Sequence, residues 1–194
     1  MYNLLRAYIN KVTFSTISDE EFSFFEEAFS IKKVKKRQFL LHEGSICRYM
    51  AFIAKGAMRQ YTIDEKGIEH IVRFGIEEWW MSDRESFLSL TPSRYNIEAL
   101  EDCDLLVSTN EKLTSLRNQS QLFAKLGQIL DEKSYIASQK RIEMTISYSA
   151  EEKLLFLMEN SPQFIHRFPQ NMLASYLGLT PETFSRVRKQ LLIK

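Results

Sequence analysis

The spacing of hydrophobic residues changes three times along the chain, and each change predicts a different kind of structure. Between residues 2 and 30 the aromatic residues Phe22, Phe25 and Phe29 recur every three or four positions, as on one face of a helix. Ser18 precedes them and Glu21 follows it by three positions, which is the pattern of an N-terminal capping box. We therefore predict that residues 2–30 are helical and that the aromatic face is buried.

Residues 31–108 contain short apolar runs separated by glycine or polar turns, a pattern typical of β-strands. The predicted strands cover residues 38–41, 50–53, 58–63, 70–74, 95–100 and 104–108. The connection from Asp64 to Gly67 has the composition of a tight hairpin turn, because glycine readily adopts a positive φ. Strands at such even spacing indicate a sandwich, a barrel or a jelly roll.

From residue 110 to residue 144 the apolar positions return to a helical spacing and form two rows with a seven-residue period. The first row contains Leu116, Phe123, Leu130, Ala137 and Met144. Because one row can pack on the chain's own β-domain while the other meets a second copy, we predict a dimerisation helix over residues 110–145. The alternative is a two-sided core helix within a monomer. The expected dimer interface consists of Leu122, Phe123, Leu126, Ile129, Leu130 and Ile136.

Residues 169–191 have the pattern of a helix, a tight turn and a second helix. Gly178 is placed to end the first helix in a left-handed conformation. Thr180 is placed to cap the second helix, with Pro181 in its first turn. The inward-facing positions of the second helix are Phe184, Val187 and Leu191. This layout is that of a helix-turn-helix, whose second helix enters the DNA major groove, and the alternative is a plain helical hairpin with a charged outer face.

The remaining residues of the second helix have the chemistry that DNA recognition requires. Arg186 can donate two hydrogen bonds to a guanine, and Glu182 can accept one from a cytosine. Hydroxyl and cationic side chains around them can bind phosphates, as can the N-terminus of the helix. The predicted DNA-binding residues are Thr180, Glu182, Thr183, Ser185, Arg186, Arg188 and Lys189.

The distribution of charge supports this interpretation, although the 194 residues have a formal net charge of only +1. Residues 161–194 contain five cations and one acid, so a basic C-terminal module follows a slightly acidic body. A basic end of this kind is typical of proteins that bind phosphates, and a solvated charged face is the alternative.

The composition, with 44% hydrophobic and 26% charged residues, is that of a globular protein. Two cysteines, Cys47 and Cys103, are too few for a disulfide framework or a four-cysteine metal site, so we expect no metal and no cofactor. The chain has no apolar run of the roughly 20 residues that a membrane span needs and no signal-peptide pattern, which favours the cytoplasm. It also has no recognisable nucleophile–base pair or phosphate-binding glycine loop, so we expect no enzyme.

With these motifs the chain resembles the Crp/Fnr family of bacterial transcription regulators, named for the cyclic-AMP receptor protein. The resemblance rests on Gly44 after the run 39–43, on residues 49–56 and on the recognition pattern of residues 182–186. It implies an α+β fold with three parts. These are an N-terminal β-roll or jelly-roll sensor domain of the cyclic-nucleotide-binding type over 1–109, a long dimerisation helix over 110–145 and a C-terminal helix-turn-helix over 146–194. By this resemblance Glu182 and Arg186 read bases.

The pocket region departs from the family pattern. The family has Gly-Glu-Leu followed by an Arg-Ser/Thr pair, whereas residues 81–83 here are Met-Ser-Asp and residues 93–94 are a reversed Ser-Arg. We therefore expect no response to cyclic AMP or cyclic GMP. The two tryptophans can line a pocket for a planar or apolar ligand, or they fill the interior of the roll. The candidate ligand pocket consists of Trp79, Trp80, Ser82, Asp83 and Arg94.

The DNA-binding end also departs from the family. A further base-reading arginine of the family corresponds to Pro181 here, so the DNA sequence that is bound need not match theirs. The sequence ends at Lys194 with the recognition helix, so we expect no β-hairpin wing.

The expected function is that of a homodimeric transcription regulator that binds a pseudo-palindromic operator in double-stranded DNA. RNA polymerase and a small-molecule effector of unknown identity are further candidate partners. The alternative is a β-roll ligand-sensing module that acts through protein partners without binding DNA.

Overall fold

A computed structural model describes residues 1–193 of the chain. Its helices are α1 (Tyr2–Thr13), α2 (Asp19–Ala28), α3 (Arg84–Ser89), α4 (Asn110–Gln119), α5 (Gln121–Ser147), α6 (Ala150–Asn160), α7 (Pro162–Arg167), α8 (Gln170–Leu177) and α9 (Pro181–Ile193). Its strands are β1 (Ser30–Val34), β2 (Phe39–Leu41), β3 (Met50–Lys55), β4 (Met58–Ile63), β5 (Glu69–Gly75), β6 (Trp80–Met81), β7 (Asn96–Ala99) and β8 (Cys103–Ser108). None of the described helices is long and apolar enough to cross a membrane.

The first compact unit, residues 1–62 and 73–132, contains the predicted β-domain. The strands form two four-stranded sheets, ordered β1-β8-β3-β6 and β2-β7-β4-β5, and the β1–β8, β3–β8, β3–β6, β2–β7 and β4–β7 pairings are antiparallel. Each of the six predicted strands is present. This arrangement confirms the β-roll.

Along β3 every residue from Ala51 to Ile53 is fully buried, because both faces of the strand are covered. Phe52 pairs in register with Trp80 of β6, and both rings pack against Tyr8 of α1, with centroid separations of 5.2 Å for Phe52 and 6.3 Å for Trp80. The N-terminal helix thus covers one side of this sheet.

The aromatic face predicted for the N-terminal segment is buried, as expected. The segment is not one helix, however, but two, and the second of them ends at Ala28. Ser18 caps the second of them by accepting a hydrogen bond from the backbone N–H of Glu21, at 3.1 Å. Strand β1 follows immediately and pairs with β8 from Ser30 to Val34. The sequence did not predict this strand, nor β6 and α3.

The prediction of one helix over 110–145 is wrong, because α4 and α5 are separated at Ser120. This residue has φ −124° and ψ 113°, outside the helical range. Its Oγ accepts a hydrogen bond from the N–H of Phe123 at 3.0 Å and donates one to Glu21 at 2.6 Å. A serine that bonds the backbone in this way starts a new helix instead of continuing the old one.

The second compact unit contains residues 63–72 and the residues from Lys133 onward. It therefore includes the second half of α5, helices α6 to α9 and the tip of the β4–β5 hairpin. Ser149 and Glu152 form a full capping box at the start of α6. Its buried apolar side chains include Ile71, Met144, Leu154, Leu157, Phe164, Phe168, Leu173, Leu177, Phe184 and Val187. The boundary between the two units falls within α5.

Candidate nucleic-acid interface

Helices α8 and α9 are joined by a three-residue turn whose geometry depends on Gly178. This residue has φ 65° and ψ 35°, and its N–H donates to the carbonyl of Ser175 at 3.0 Å. The N–H of Leu179 donates to the carbonyl of Ala174 at 2.9 Å, which completes a Schellman-type end to α8. Glycine adopts this left-handed conformation without the steric cost that a Cβ would add, so the predicted turn is present for the predicted reason.

The start of α9 is also as predicted. The Oγ1 of Thr180 accepts a hydrogen bond from the backbone N–H of Thr183 at 3.2 Å, and Pro181 is the first helical residue. Phe184 and Val187 are 1% and 3% exposed, because this face of α9 packs on α6 and α8. Burying these two side chains leaves the opposite face of α9 in solvent.

The solvent-facing side of α9 carries the residues predicted to bind DNA. Glu182, Arg186 and Lys189 are exposed and recur at helical spacing along one side of the helix. The four other predicted residues are placed around them: Thr180 is exposed at the cap, and Thr183, Ser185 and Arg188 are half-buried. The structure therefore brings all seven predicted residues to one helix and its N-terminal cap.

Glu182 is held in its charged form by its position in the first turn of α9. A hydrogen bond from its own backbone N–H, followed by one from the Thr180 side chain, lowers the pKa of its carboxyl group. The backbone N–H groups at the N-terminus of a helix have no partner within the helix, so they favour a negative charge beside them. A carboxylate here can accept a hydrogen bond from the amino group of a cytosine.

Sequence reasoning missed two polar side chains that connect α8 and α5 to the backbone of β5. Ser175, in the last turn of α8, and Arg141, on α5, are hydrogen-bonded to the backbone of β5. Their partners are main-chain groups distant in sequence. Such contacts leave no local motif, so neither periodicity nor composition could have identified them.

Two of the five residues predicted for a ligand pocket line one depression. A shallow depression of about 220 Å³ is lined by Asp83 and Arg94 together with Glu85, Ser86, Thr91 and Pro92. This volume is below the roughly 300–1,000 Å³ that is typical of small-molecule sites. Arg94 is exposed, and the side chain of Asp83 caps α3 by accepting from the N–H of Glu85 at 3.2 Å.

The other three residues of that set do not line the depression, so the predicted pocket is not a single site. Trp80 packs in the core beside Tyr8, Phe29 and Phe52, with centroid separations of 5.1–6.3 Å. Ser82 is buried and its hydroxyl donates to the sulfur of Met50 at 3.3 Å. Trp79 accepts a backbone hydrogen bond from Ile53 at 2.9 Å. Of these three, Trp80 and Ser82 contribute to packing.

The residues predicted for a dimer interface divide into three groups by exposure. Phe123 and Leu126 are 7% and 0% exposed within the chain's own core, so this part of the prediction is wrong. Leu122, Ile129 and Leu130 are half-buried against that core, and Ile136 is 54% exposed. Beyond residue 132 the exposed large apolar side chains of α5 are Tyr135, Ile136, Ile142 and Ile146.

Comparison with known proteins finds bacterial regulators that are similar to most of this chain. Residues 31–120 match the family model described as the cyclic nucleotide-binding domain. The regulatory protein HlyX of Actinobacillus pleuropneumoniae is 27% identical over 193 residues, which cover 89% of this chain and 76% of that protein.

Solved structures show the same fold. FixK2 from Bradyrhizobium japonicum has a TM-score of 0.69 at 21% identity, covering 85% of each chain. A Crp/Fnr-family structure from Eubacterium rectale has a TM-score of 0.63 at 17% identity, covering 91% of this chain and 84% of that one. The chain is therefore similar in sequence to bacterial regulatory proteins over most of its length, and it shares the fold of a Crp/Fnr-family structure.

Proposed function

We propose that this protein regulates transcription as a homodimer that binds a pseudo-palindromic DNA sequence through α9. The observation that carries the proposal is the exposed polar and cationic face of α9, which is fixed in place by the buried Phe184 and Val187. An α-helix with such a face fits the major groove of B-DNA. The role is that of a non-enzymatic regulator in the cytoplasm.

Base reading is assigned to two residues one helical turn apart. Arg186 donates two hydrogen bonds to a guanine, and Glu182 accepts one from a cytosine. Thr180, Thr183, Ser185, Arg188 and Lys189 bind the phosphates on either side. The position of Pro181 in the first turn removes a donor that an arginine there would supply, so the operator differs from that of regulators with that arginine.

Dimerisation is assigned to the second half of α5. Ile142 and Ile146 are 52% and 79% exposed, and they line an apolar groove of about 300 Å³ together with Ser138, Arg141 and Thr145. Exposed isoleucines on a long helix lose unfavourable contact with water when a second copy covers them. Two recognition helices held in this way meet successive major grooves about 34 Å apart.

The sensor domain is proposed not to respond to cyclic AMP or cyclic GMP. The depression that contains Arg94 is small, and its other lining residues include the carboxylates Asp83 and Glu85. A cyclic phosphate placed there would meet two negative charges beside one positive charge, which opposes binding. Any effector of this protein is therefore of another chemical class.

RNA polymerase is the proposed protein partner of this regulator on DNA.

The proposal is tested by selecting bound fragments from genomic DNA with the purified, ligand-free protein at two salt concentrations. We expect enrichment of a palindromic sequence, with an affinity that falls steeply as salt rises because phosphate contacts release counterions. The variant Arg186→Ala is the control that removes base reading while leaving the fold intact.

If the wild-type protein enriched no DNA sequence and behaved like Arg186→Ala, this result would contradict the proposed regulatory function. A thermal-shift titration with cyclic AMP and cyclic GMP tests the sensor separately. A rise in the unfolding temperature with either nucleotide would contradict the proposed lack of response, because a ligand that binds the native state stabilises it.

A further inference from the structure

Strand β5 lies at the edge of its sheet, and a serine from α8 satisfies two of its backbone groups. The N–H of Ile71 donates to the Oγ of Ser175 at 3.0 Å, and the hydroxyl of Ser175 donates to the carbonyl of Glu69 at 3.0 Å. Residues 69 and 71 direct their backbone groups to the same side of a strand. One hydroxyl therefore takes the place that a neighbouring strand would occupy.

An arginine from α5 joins the same two elements. A terminal nitrogen of Arg141 donates to the carbonyl of Ile71 at 3.3 Å and to the carbonyl of Tyr176 at 3.2 Å. Its guanidinium carbon lies 4.0 Å from the centroid of the Tyr176 ring, within cation–π range. Tyr176 is in the last turn of α8, where backbone carbonyls have no partner within the helix.

We call this arrangement the β5 clamp: the side chains of Ser175 and Arg141 with the backbone of Glu69, Ile71 and Tyr176. All five residues belong to the second compact unit. The clamp holds α8 immediately before the turn at Gly178, and α8 packs on α9. It therefore fixes the helix from which the recognition helix starts, without covering Arg186, which stays exposed.

We propose that Ser175 and Arg141 are positioning residues for DNA recognition. They do not touch DNA; they tie α8 to the β4–β5 hairpin and so restrict the orientations of α9 before it meets the major groove. This inference rests on the proposed function. Restricting a binding element in advance strengthens binding because less freedom is lost on association. Breaking the clamp therefore weakens binding to every DNA sequence alike.

The first test measures the clamp without DNA, by hydrogen exchange of the backbone N–H of Ile71. Ser175→Ala removes the hydroxyl from a helix that alanine otherwise favours, so α8 itself remains intact. We expect the Ile71 amide to exchange faster in Ser175→Ala and to regain its protection in Ser175→Thr, which restores a hydroxyl. Unchanged exchange in Ser175→Ala would show that the clamp does not exist in solution.

The second test measures DNA affinity of the same full-length variants on the enriched fragment. We expect Ser175→Ala to bind about 3- to 10-fold more weakly, the effect of losing one or two hydrogen bonds, and Ser175→Thr to recover. The slope of log affinity against log salt and the sequence preference stay as in wild type, because no phosphate or base contact is lost. Faster exchange with unchanged affinity would overturn the positioning role.

Arg141 requires a control for its charge. Arg141→Gln is compared with Lys140→Gln, which removes one positive charge from the neighbouring exposed residue of α5. We expect only Arg141→Gln to accelerate exchange at Ile71 and to weaken binding. Because Arg141 also lines the groove proposed for dimerisation, the affinities are compared at a protein concentration at which sedimentation shows both variants to have the oligomeric state of the wild type. A salt slope reduced by about one in Arg141→Gln alone would show instead that Arg141 contacts a phosphate.

The two tests separate failure of this inference from failure of the proposed function. If wild type binds no DNA fragment, the regulatory function and the positioning role are both contradicted, even where exchange at Ile71 shows the clamp to be present. If wild type binds DNA and the clamp variants bind equally well, only the positioning role is contradicted.

Discussion

Arg59 and Glu98 form a buried ion pair across two neighbouring strands of the β-roll. They are direct partners in the β4–β7 register, with a nitrogen–oxygen distance of 2.6 Å and side chains that are 8% and 12% exposed. The guanidinium of Arg59 also stacks on the ring of Tyr61, 4.1 Å from its centroid. Charged groups this deeply buried are stable only while each neutralises the other.

Removing one member of this pair is predicted to be far more damaging than removing both. Arg59→Met leaves the Glu98 carboxylate buried without its partner, and we expect the free energy of unfolding to fall by about 3–5 kcal/mol. The double variant Arg59→Met/Glu98→Leu should regain most of that loss, because apolar side chains of similar size replace both charges. Urea unfolding followed by circular dichroism measures each value.

A surface pair supplies the control for that prediction. Lys35 and Asp102 are 2.8 Å apart but 70% and 61% exposed, so Lys35→Met should leave the urea midpoint nearly unchanged. A single variant Arg59→Met as stable as Lys35→Met would show that water reaches Glu98 in the folded protein.

The base-reading role proposed for Arg186 predicts a loss of affinity that depends on the DNA sequence. Arg186→Ala should weaken binding to the preferred site by about 1–3 kcal/mol and relax the preference at one base pair. Lys189→Ala, on the same exposed face, should weaken binding to all sequences alike and lower the salt slope by about one. Competition binding on a set of single-base-pair variants measures both. Equal losses on every sequence in Arg186→Ala would show that this residue contacts phosphates only.

The apolar face of α5 predicts where the proposed dimer can be broken. Ile142→Glu combined with Ile146→Glu places two charges on that face, and we expect monomers in sedimentation equilibrium because buried, unpaired charges are costly. Ile31→Glu is a matched control, since Ile31 on β1 is as exposed as Ile142, at 52%. Monomers in the control alone, or an unchanged mass in the double variant, would place the interface elsewhere.

The helix-turn-helix was predictable from sequence because its determinants are local. Gly178 has the backbone conformation that ends α8, and Thr180 supplies the cap that begins α9, so each residue type matches its own position. The strands of the roll were predictable for a similar reason, since short apolar runs alternate with turn residues such as Gly67, whose φ is 79°.

The features that sequence reasoning missed depend on distant partners. Strand β1 carries exposed Ile31 and Lys33, and it becomes a strand because β8 pairs with it from Ser30 to Val34. Ser120 interrupts a continuous helical pattern because Glu21, 99 residues away, accepts a hydrogen bond from its hydroxyl. Local periodicity carries no information about such contacts, and tertiary pairing decides the structure at these positions.

The turn of the β4–β5 hairpin is predicted to depend on pH through Asp64. Its carboxylate accepts hydrogen bonds at 2.9 Å from the N–H groups of Lys66 and Ile68 and lies 2.9 Å from the Nε2 of His70. The hydrogen bond with His70, followed by that from Ile68, lowers the pKa of Asp64 below its ordinary value of 3.8. A lowered pKa means that the folded turn favours the charged form. The stability that Asp64 contributes is therefore fully present above pH 3.8 and is lost as the pH falls through the lower, folded value.

Carbon-detected NMR titration of the Asp64 carboxyl group should accordingly give a midpoint below 3.8. Over the same pH range the amides of Lys66 and Ile68 should lose protection from exchange, after correction for the intrinsic rate. Asp64→Asn keeps a neutral oxygen acceptor for both amides, so their protection should be weaker than in wild type but independent of pH through this range. A midpoint at or above 3.8 in wild type would show that the hydrogen bonds from His70, Ile68 and Lys66 do not favour the charged carboxylate, and Asp64 would then not be what makes this turn sensitive to acid.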